Sequence, residues 1–335
     1  MDEGQQRNAA IMASRENAVF AAGGMQQGEA AATAPTDYAH LTGGEASPRP
    51  ARGEAQAPAA APILREAPLI DIRQLSHLYP GSDQYALQGI DLQIARGEWL
   101  AIIGVNGSGK STLIKHLNGL LKPTSGFVIV DGEDTQDRRV GELARVVSYL
   151  PQNPDQMIFS SSVRQEVAFG PRQLGRQGQQ LEDQVTEALG LLSLASYAEH
   201  PPAVLGYGLR RQVALASVLA MNTPVMALDE PTVGLDLEIT QRLMDIVSAR
   251  HQQGTTVIMI THDLQWVARY AQRVAVLYQG RLVTQGDVRQ VLTDLDQLVA
   301  VDMEPLPVTA LASMLKWPPP LPLSADDVMA RISHE

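Results

Sequence analysis

One nine-residue segment, GVNGSGKST at residues 104–112, constrains the fold of this chain more than any other feature. It fits the pattern G-x-x-x-x-G-K-S/T, in which glycines let successive backbone N–H groups wrap phosphate oxygens. The apolar run WLAII precedes the segment and a helical pattern follows it. This order predicts a strand, a phosphate-binding loop and a helix whose N-terminus adds its positive dipole end. The chain is therefore expected to contain an α/β domain.

The side chains of this loop have distinct predicted roles. Lys110 is expected to reach the β- and γ-phosphates of a nucleotide, and the Ser111 hydroxyl is expected to ligate Mg²⁺. The predicted nucleotide-binding residues of the segment are Gly104, Asn106, Gly107, Ser108, Gly109, Lys110, Ser111 and Thr112.

A second element of the same kind of site lies far downstream, in VMALDEP at residues 225–231. Four apolar residues predict a buried strand, and Asp229 at its carboxyl end is placed to hold Mg²⁺ through water. Glu230 follows by one residue, where a carboxylate can polarise an attacking water. Either acid alone would more often be a solvated surface residue. Because they follow an apolar run in a chain that also has a lysine-containing phosphate loop, the two acids form a candidate catalytic pair.

Three stretches of different composition divide the chain. Residues 1–66 are rich in Ala, Gly, Gln and Pro with few large apolar residues, which predicts disorder. Residues 67–293 alternate strand-like and helix-like runs, which predicts a parallel sheet with crossover helices, preceded by an antiparallel β segment. Residues 294–335 contain Pro305, Pro307 and the run WPPPLP, which are expected to interrupt any regular element of a small accessory segment.

Apolar periodicity and turn signals give specific bounds to these elements. The predicted strands are 69–78, 85–94, 98–103, 126–130, 146–150, 225–228, 256–260, 274–278 and 281–285, and the predicted helices are 110–120, 181–192, 209–221, 237–251, 263–270 and 288–293. No uninterrupted apolar run approaches the roughly 20 residues that span a bilayer.

Charge and cysteine content exclude several classes of protein. The chain has 26 basic and 37 acidic residues, a formal net charge of −11. This excess argues against sequence-independent binding of nucleic-acid phosphates, so no DNA or RNA partner is expected. Because cysteine is absent, the sequence holds no disulfide, thiolate metal site or cysteine nucleophile.

Sequence between the two phosphate-site elements resembles one family. LPQNPDQMIF at residues 150–159 and VRQEVAFGPRQLG at residues 163–175 are similar to ATP-binding cassette (ABC) subunits, in particular those of energy-coupling-factor (ECF) importers for vitamins and transition metals. The resemblance runs from about residue 69 to about residue 292. It implies a P-loop NTPase fold of the ABC type, with a mixed or parallel core sheet and helices, an antiparallel β subdomain and a helical signature subdomain.

The resemblance also implies roles for single residues. Tyr79, in HLYPGSDQYAL, would stack on adenine, and Gln152 would sense Mg²⁺ and the γ-phosphate. Asp236, in TVGLD, would belong to a loop that crosses a dimer interface, and His262, in ITHDL, would contact the γ-phosphate. Chemistry supports two of these roles independently: a flat aromatic face can hold a purine, and a histidine can donate to developing phosphate charge. The predicted catalytic residues are then Glu230, His262 and Gln152, and the predicted Mg²⁺ ligands are Ser111, Gln152 and Asp229.

One motif departs from the family pattern. Where the family has LSGGQ this chain has LGYGL, so Gly206 replaces Ser, Tyr207 replaces Gly and Leu209 replaces Gln, while Gly208 is kept. In the family this segment faces the ATP of the other subunit in a head-to-tail dimer, and Tyr207 adds bulk there. Loss of the Ser hydroxyl removes a charge-assisted hydrogen bond worth about 1.5–3 kcal/mol. By analogy with a lost oxyanion donor, the rate at that site is expected to fall roughly 10²–10³-fold.

The altered motif leaves three interpretations open. Because Lys110, Gln152, Asp229, Glu230 and His262 match the family, we favour a heterodimer in which this chain's ATP meets an intact partner signature. One alternative is a tolerated variant that hydrolyses ATP at both sites. The other is a weakly active or inactive protein.

A smaller departure concerns the groove that receives the coupling helices of a membrane subunit. The family usually has QNPDNQ where this chain has QNPDQM, so Met157 replaces a glutamine. Asp155 and Glu166 are expected to meet arginines of that membrane partner.

The resemblance therefore implies an ATP-hydrolysing subunit of an ECF-type importer, with ATP and Mg²⁺ as cofactors. It would lie peripherally on the cytoplasmic face of the cell membrane and energise uptake of a vitamin or transition-metal ion. Its partners would be an integral membrane subunit, a substrate-binding membrane component and a second ATPase subunit. One alternative is a nucleotide-dependent regulatory module with little turnover, which the LGYGL segment suggests. The other is a soluble cassette ATPase acting on DNA or ribosomes, which the acidic charge disfavours.

Overall fold

A computed structural model describes residues 67–333, which form ten strands and eleven α-helices. The strands are β1 (Ile70–Leu78), β2 (Tyr85–Ile94), β3 (Trp99–Ile103), β4 (Ser125–Val130), β5 (Glu133–Asp134), β6 (Val147–Leu150), β7 (Val225–Asp229), β8 (Thr256–Ile260), β9 (Arg273–Tyr278) and β10 (Arg281–Asp287). The helices are α1 (Lys110–Leu117), α2 (Val140–Leu143), α3 (Val163–Gln173), α4 (Gly178–Leu191), α5 (Tyr207–Met221), α6 (Leu237–Gln252), α7 (Leu264–Tyr270), α8 (Val288–Thr293), α9 (Leu295–Ala300), α10 (Pro307–Met314) and α11 (Ala325–Ile332). The expected disorder of residues 1–66 lies outside the described residues.

The strands form two sheets of different kinds. Strands β9, β3, β8, β7 and β6 lie side by side in that order, all parallel, and β10 pairs antiparallel with β9 at one edge. The other four strands form an antiparallel sheet in the order β2-β1-β4-β5. The predicted parallel sheet and antiparallel β segment are confirmed, with the addition that β4 and β5 return to the antiparallel sheet after β3.

Strand β3 is buried on both faces, and its side chains alternate between two cores. Trp99, Ala101 and Ile103 pack in a core that includes buried residues of α3, α4 and α5. Leu100 and Ile102 pack in a second core, with the antiparallel sheet and α1. Burial on both faces explains why this strand is an uninterrupted apolar run. The loop that follows β3 is therefore anchored by packing on two sides.

A helical region, formed by α3, α4 and α5, follows β6. Helix α3 begins after Ser162, whose hydroxyl accepts a hydrogen bond from the N–H of Gln165. The sequence did not predict this helix, because Gly170 and Pro171 normally interrupt helices. Both fall near its end, and a Cβ on Gly170 would lie 2.7 Å from Cγ of Met221, so the glycine permits close packing of α3 on α5.

Most predicted strands and helices lie within three residues of their expected bounds. The largest difference near the phosphate loop is in α1, which ends at Leu117 instead of residue 120. The N–H of Gly119 bonds to the carbonyl of His116 at 3.3 Å, and Gly119 takes a φ of 73°, which ends the helix early. No helix between residues 67 and 333 combines the length and the apolar character needed to cross a bilayer.

Prolines separate the regular elements of residues 294–335, but they leave room for more helix than the sequence pattern indicates. Helices α9, α10 and α11 form between the prolines. Pro307 is the first residue of α10, where a missing N–H breaks no helical hydrogen bond. Leu298, Leu306 and Leu323 are buried in the same core as Trp99. The tail therefore packs as part of the main folded unit, to which all of the described residues belong.

Candidate active site

Four predicted site segments meet at one edge of the six-stranded sheet. Strands β3, β8, β7 and β6 are consecutive parallel neighbours. Their carboxyl ends lead into the loop 104–109, His262, the Asp229–Glu230 turn and Gln152, respectively. Because carboxyl ends of parallel strands share an edge, the fold brings these segments together where open α/β sheets bind ligands.

The loop between β3 and α1 requires glycine at two positions. Gly104 has a φ of 145°, and a Cβ there would lie 2.1 Å from the carbonyl oxygen of Leu277. Gly109 has a φ of 104°, and its Cβ would lie 2.6 Å from the carbonyl oxygen of Ala86. No other residue fits these positions without moving the backbone. The glycines thus seat the loop between β9 and β2.

The ammonium group of Lys110 lies inside this loop. Its Nζ donates to the carbonyl oxygens of Gly104, at 2.7 Å, and Val105, at 2.9 Å. Burial lowers the pKa of Lys110, while the carboxylates of Glu230 and Asp229 act in the opposite direction. A cation held at this point is placed to neutralise a polyphosphate that the loop binds.

Two predicted Mg²⁺ ligands are in contact with each other. Ser111 lies close enough to the Asp229 carboxylate to lower its pKa, and the Tyr149 hydroxyl lies 3.4 Å from Asp229 Oδ2. Asp229 is 2% exposed, and burial raises its pKa. Hydroxyl and carboxylate oxygens are ligands that Mg²⁺ accepts, and a divalent cation would offset the desolvation of this carboxylate, so the pair fits the ion. Gln152, the third predicted ligand, is exposed after β6.

Glu230 and His262 form a hydrogen-bonded pair at the ends of β7 and β8. Nδ1 of His262 lies 3.0 Å from Oε1 of Glu230. The Glu230 side chain is buried and its Oε2 has no hydrogen-bond partner within residues 67–333, whereas the His262 side chain is 70% exposed. Glu230 also has a φ of 50°, a left-handed conformation that is strained for a residue with a side chain. One carboxylate oxygen is therefore hydrogen-bonded to histidine, and the other is buried without a partner among the described residues.

Tyr79, the predicted adenine-stacking residue, lies beside α1. Its hydroxyl is 3.1 Å from Oγ1 of Thr112, and its ring is 38% exposed. The edge of the ring meets His77, with ring centroids 4.6 Å apart. His77 in turn contacts the buried His116 of α1, whose Nε2 lies 3.2 Å from Nδ1 of His77. Tyr79 is thus held by contacts with Thr112 and His77 and remains partly exposed.

Comparisons with known proteins identify the family. A family model described as ABC transporter matches residues 87–233. The energy-coupling factor transporter ATP-binding protein EcfA of Methanoculleus marisnigri is 41% identical over 249 residues, which cover 74% of this chain and 90% of that protein. The chain belongs to the ABC transporter ATPase family. A putative ABC transporter ATP-binding protein of Caldanaerobacter subterraneus subsp. tengcongensis is 40% identical over 247 residues, 74% of this chain, and this ABC ATPase spans only 43% of that relative's length.

Solved structures agree with this family and with the predicted fold. CbiO1 of Clostridium perfringens, described as part of the ABC transporter complex CbiONQ, superposes with a TM-score of 0.61 at 32% identity, covering 75% of this chain and 100% of that chain. A dimeric ATP-binding cassette bound to ADP and Pi superposes with a TM-score of 0.60 at 27% identity, covering 66% and 99%. The cassettes of this family bind and hydrolyse ATP, and this chain is an ABC-type ATPase domain.

The altered signature segment of this ABC ATPase begins helix α5. Gly206 precedes the helix and supplies no side-chain cap, and Tyr207 is its first residue. A Cβ built on Gly234 would lie 2.6 Å from Cε1 of Tyr207, so the tyrosine ring rests on the loop before α6. In that loop, the Asp236 carboxylate accepts a 2.8 Å hydrogen bond from the N–H of Ile239 and caps α6. The predicted interface residues Gly206, Tyr207, Gly208 and Asp236 therefore lie close together on one chain.

The expectation that Asp155 and Glu166 meet partner arginines is wrong for Glu166 and stays a prediction for Asp155. Glu166 is 2% exposed, and its Oε2 accepts hydrogen bonds from the N–H groups of Phe159 and Ser160, at 3.0 and 2.7 Å. Asp155 is exposed but already pairs with Arg210 of the same chain at 2.8 Å. The acidic groups of this ABC ATPase thus hold its own loop 153–160.

Arg211 is a functional candidate that the sequence analysis missed. It is fully buried in α5, and its guanidinium contacts backbone carbonyls after β6 and β7. The only sequence signal was a basic residue in the polar start, RRQ, of the segment RRQVALASVLA, which gives no indication of its acceptors.

Proposed function

We propose that this chain is the ATP-hydrolysing subunit of an ECF-type importer. It would bind peripherally at the cytoplasmic face of a membrane and energise uptake of a vitamin or a transition-metal ion. The observation that carries the proposal is the Glu230–His262 pair, joined at 3.0 Å at the sheet edge that also holds Lys110. The similarity to EcfA and CbiO1 supports the transport class.

The proposed reaction transfers the γ-phosphoryl group of ATP to water. ATP would place its β- and γ-phosphates in loop 104–109, against Lys110. The Glu230 carboxylate, at the end of β7, would accept a hydrogen bond from a water and orient the water oxygen toward the γ-phosphorus. As the new P–O bond forms, the bond to the β–γ bridging oxygen breaks, and ADP and inorganic phosphate result. The exposed His262 ring is placed to contact a γ-phosphate oxygen during this step.

Ser111 and Asp229 are the residues that would hold Mg²⁺. The ion, when bound, supplies positive charge next to the β- and γ-phosphate oxygens. The chain's own contribution is to keep a buried carboxylate at the end of β7, where the Ser111 and Tyr149 hydroxyls orient it. Gln152 lies after the neighbouring strand β6 and is exposed, so its side chain is free to approach the same phosphate.

The membrane subunit is proposed to dock next to Gln152. In the segment that follows Gln152 in sequence, Phe159 and Phe169 form an edge-to-face pair, with ring centroids 4.8 Å apart, and they are 65% and 42% exposed. Because Glu166 is buried and its carboxylate is bonded within the chain, the partner's coupling helix would bind mainly through apolar contacts with this aromatic pair. Exposed large aromatic side chains are a common anchor at protein interfaces.

A second ATPase subunit is proposed as a partner, in a head-to-tail heterodimer. This chain's own phosphate site has all its expected residues, whereas its signature segment lacks the serine hydroxyl at Gly206. In a heterodimer, this chain's ATP would meet an intact partner signature, and only the opposite site would be slowed.

ATP hydrolysis by the purified chain, alone and with its partner subunits, tests the proposal. Glu230→Gln is expected to lower kcat by about 10²–10⁴-fold while ATP still binds, because the water loses its acceptor. Glu238→Gln is the matched control, since Glu238 is highly exposed on α6. Undiminished hydrolysis by Glu230→Gln would contradict the mechanism. Failure to co-purify with any integral membrane subunit would contradict the transport role.

The altered signature favours a second candidate, a regulatory cassette that closes on ATP but turns over little. Gly206→Ser separates the two candidates, because a Cβ at Gly206 meets no atom within 4 Å and serine fits there. The heterodimer predicts that Gly206→Ser raises hydrolysis by the isolated chain and leaves the partnered rate nearly unchanged. A regulatory cassette predicts little hydrolysis with the partner before the substitution.

A further inference from the structure

The guanidinium of Arg211 binds four backbone carbonyls from two separate segments. Nη1 donates to the carbonyl oxygens of Pro151, at 2.6 Å, and Gln152. Nη2 donates to the carbonyl oxygens of Asp229, at 2.9 Å, and Glu230. The four N–H bonds of the two terminal nitrogens thus match four acceptors, and the planar group spans both segments at once.

This is an unusual environment for a buried cation. Arg211 is 0% exposed, and among residues 67–333 its terminal nitrogens bond only to carbonyls, not to a carboxylate. Its Nε is buried without a partner. Burying a charge without an ion pair is unfavourable, and a leucine or methionine would suit an apolar helix better. The arrangement therefore favours a role that depends on the four contacts.

The position of the four carbonyls indicates that role. Two belong to the segment that carries Gln152, and two belong to the turn that carries Asp229 and Glu230, where Glu230 holds its strained φ of 50°. A strained conformation persists only when its surroundings fix it. Arg211 itself lies one turn into α5, the helix that begins at the signature residue Tyr207.

We infer that Arg211 is a positioning residue that fixes Gln152 and Glu230 relative to each other and joins both to the signature helix. The inference rests on the proposed hydrolysis of ATP. Arg211 does not touch the phosphate loop, so the groups that bind ATP stay in place without it, and the alignment of the reacting water is lost.

The test compares Arg211→Met and Arg211→Lys with Arg242→Met, which removes an exposed arginine from α6 that contacts Ser193 and Glu238. Arg211→Met is expected to lower kcat for ATP hydrolysis about 100-fold, as expected for a misplacement of about 1 Å, with KM for ATP changed less than about 3-fold. Arg211→Lys has three donors on one atom and cannot span both segments, so we expect partial recovery. A rise in KM with unchanged kcat, or full activity of Arg211→Met, overturns the inference.

Two further measurements keep the result interpretable. Addition of guanidinium chloride to Arg211→Gly is expected to restore part of kcat, whereas sodium chloride at equal ionic strength is not; absence of rescue in a folded, ATP-binding variant counts against the inference. Amide hydrogen exchange at residues 151–153 and 229–231 is expected to rise in Arg211→Lys, and unchanged exchange also overturns it.

The proposed function is judged separately, by wild-type hydrolysis and its loss in Glu230→Gln. If the wild type does not hydrolyse ATP with its partners, the proposed function fails, and hydrogen exchange alone decides whether Arg211 holds the two segments. If the wild type hydrolyses ATP and Glu230→Gln does not, the Arg211 variants bear only on the positioning role.

Discussion

The ring of Tyr207 lies so close to Gly234 that a Cβ on Gly234 would come within 2.6 Å of Cε1. The first residue of the signature helix thereby touches the loop that leads to Asp236. The bulk that Tyr207 adds to the signature is accommodated inside the same chain, by a glycine with a φ of 78°. The tyrosine of the altered motif therefore packs against a position in the neighbouring loop that has room only for glycine.

Substitution of Gly234 by alanine should destabilise the fold through this contact. Gly132→Ala is the matched control, because Gly132 has a φ of 82° and open space around its Cβ position. The control should lower the free energy of unfolding by about 1 kcal/mol, from backbone strain alone. Gly234→Ala should lower it by about 1–3 kcal/mol more, because the Tyr207 ring must move. Denaturant unfolding measures both values, and equal losses would contradict the contact.

A double variant tests the same contact from the other side. In Tyr207→Gly combined with Gly234→Ala the ring is gone, so the extra loss of Gly234→Ala should largely disappear. The two substitutions are then non-additive, as expected for residues in contact.

Removal of the Tyr79 ring should weaken ATP binding without slowing the chemical step. Tyr79→Ala loses the stacking face, and base–aromatic stacking of about 1–3 kcal/mol predicts a KM for ATP about 10-fold higher, with kcat nearly unchanged. Tyr79→Phe keeps the ring and loses only the hydroxyl contact with Thr112, so its KM should stay close to that of the wild type. Steady-state kinetics measures both constants. A phenylalanine variant as impaired as the alanine variant would show that the hydroxyl, and not stacking, matters.

His116 should make the fold less stable as the pH falls from 7 to 5. Burial lowers the pKa of His116 to about 4, and contact with His77 acts in the same direction, while the backbone carbonyl of Thr112 opposes the shift. Below the ordinary histidine pKa of about 6.5, the unfolded chain takes up a proton that the folded chain refuses. The free energy of unfolding therefore decreases as the pH is lowered, by about 2 kcal/mol from pH 7 to pH 5 for this group.

The contribution of His116 can be isolated with a variant. His116→Asn keeps an N–H donor for the carbonyl of Thr112 and does not titrate. Urea unfolding at both pH values should show a loss about 2 kcal/mol smaller in His116→Asn than in the wild type. Carboxylates titrate in both proteins, so the difference belongs to the histidine. Identical losses would show that His116 takes up its proton in the folded state near the usual pH.

Glu166 should be needed for assembly with the membrane subunit more than for hydrolysis. Glu166→Ala leaves the N–H groups of Phe159 and Ser160 without their buried acceptor, at a cost of about 2 kcal/mol or more. The loop that carries Phe159 should then move, and co-purification with the membrane subunit should fall. Glu166→Gln keeps an oxygen acceptor and serves as the matched control. If both variants assemble as the wild type does, the loop is not part of the docking surface.

Local patterns predict part of this structure well. The strand, loop and helix from Trp99 to Leu117 are specified by a continuous apolar run, three glycines and a helical pattern, all adjacent in sequence. Strand β7 and the two acids at its end are likewise predicted from adjacent residues. The order of the motifs along the chain indicated the family. The family model and the relatives confirm that assignment.

The parts that sequence alone did not predict depend on residues far apart. Arg211 bonds to carbonyls about 60 and 20 residues away, and a backbone acceptor leaves no mark on the sequence. The sequence around Glu166 is typical of an exposed helix residue, but in the structure the loop with Phe159 and Ser160 contacts its carboxylate and Glu166 is buried. The prolines of the tail separate its helices, but the sequence pattern did not indicate that Pro307 starts a helix or that leucines of the tail are buried in the main core.

The strand order of the six-stranded sheet has a consequence for synthesis of the chain. Strand β3 carries the phosphate loop early in the sequence, but both strands beside it, β8 and β9, come near the end. At roughly 5–20 residues per second, a ribosome needs roughly 10–35 s to travel from Ile103 to Tyr278. For most of that time the apolar segment WLAII has neither neighbour, and unpaired strand edges favour aggregation. The phosphate loop is thus made well before the strands that enclose it.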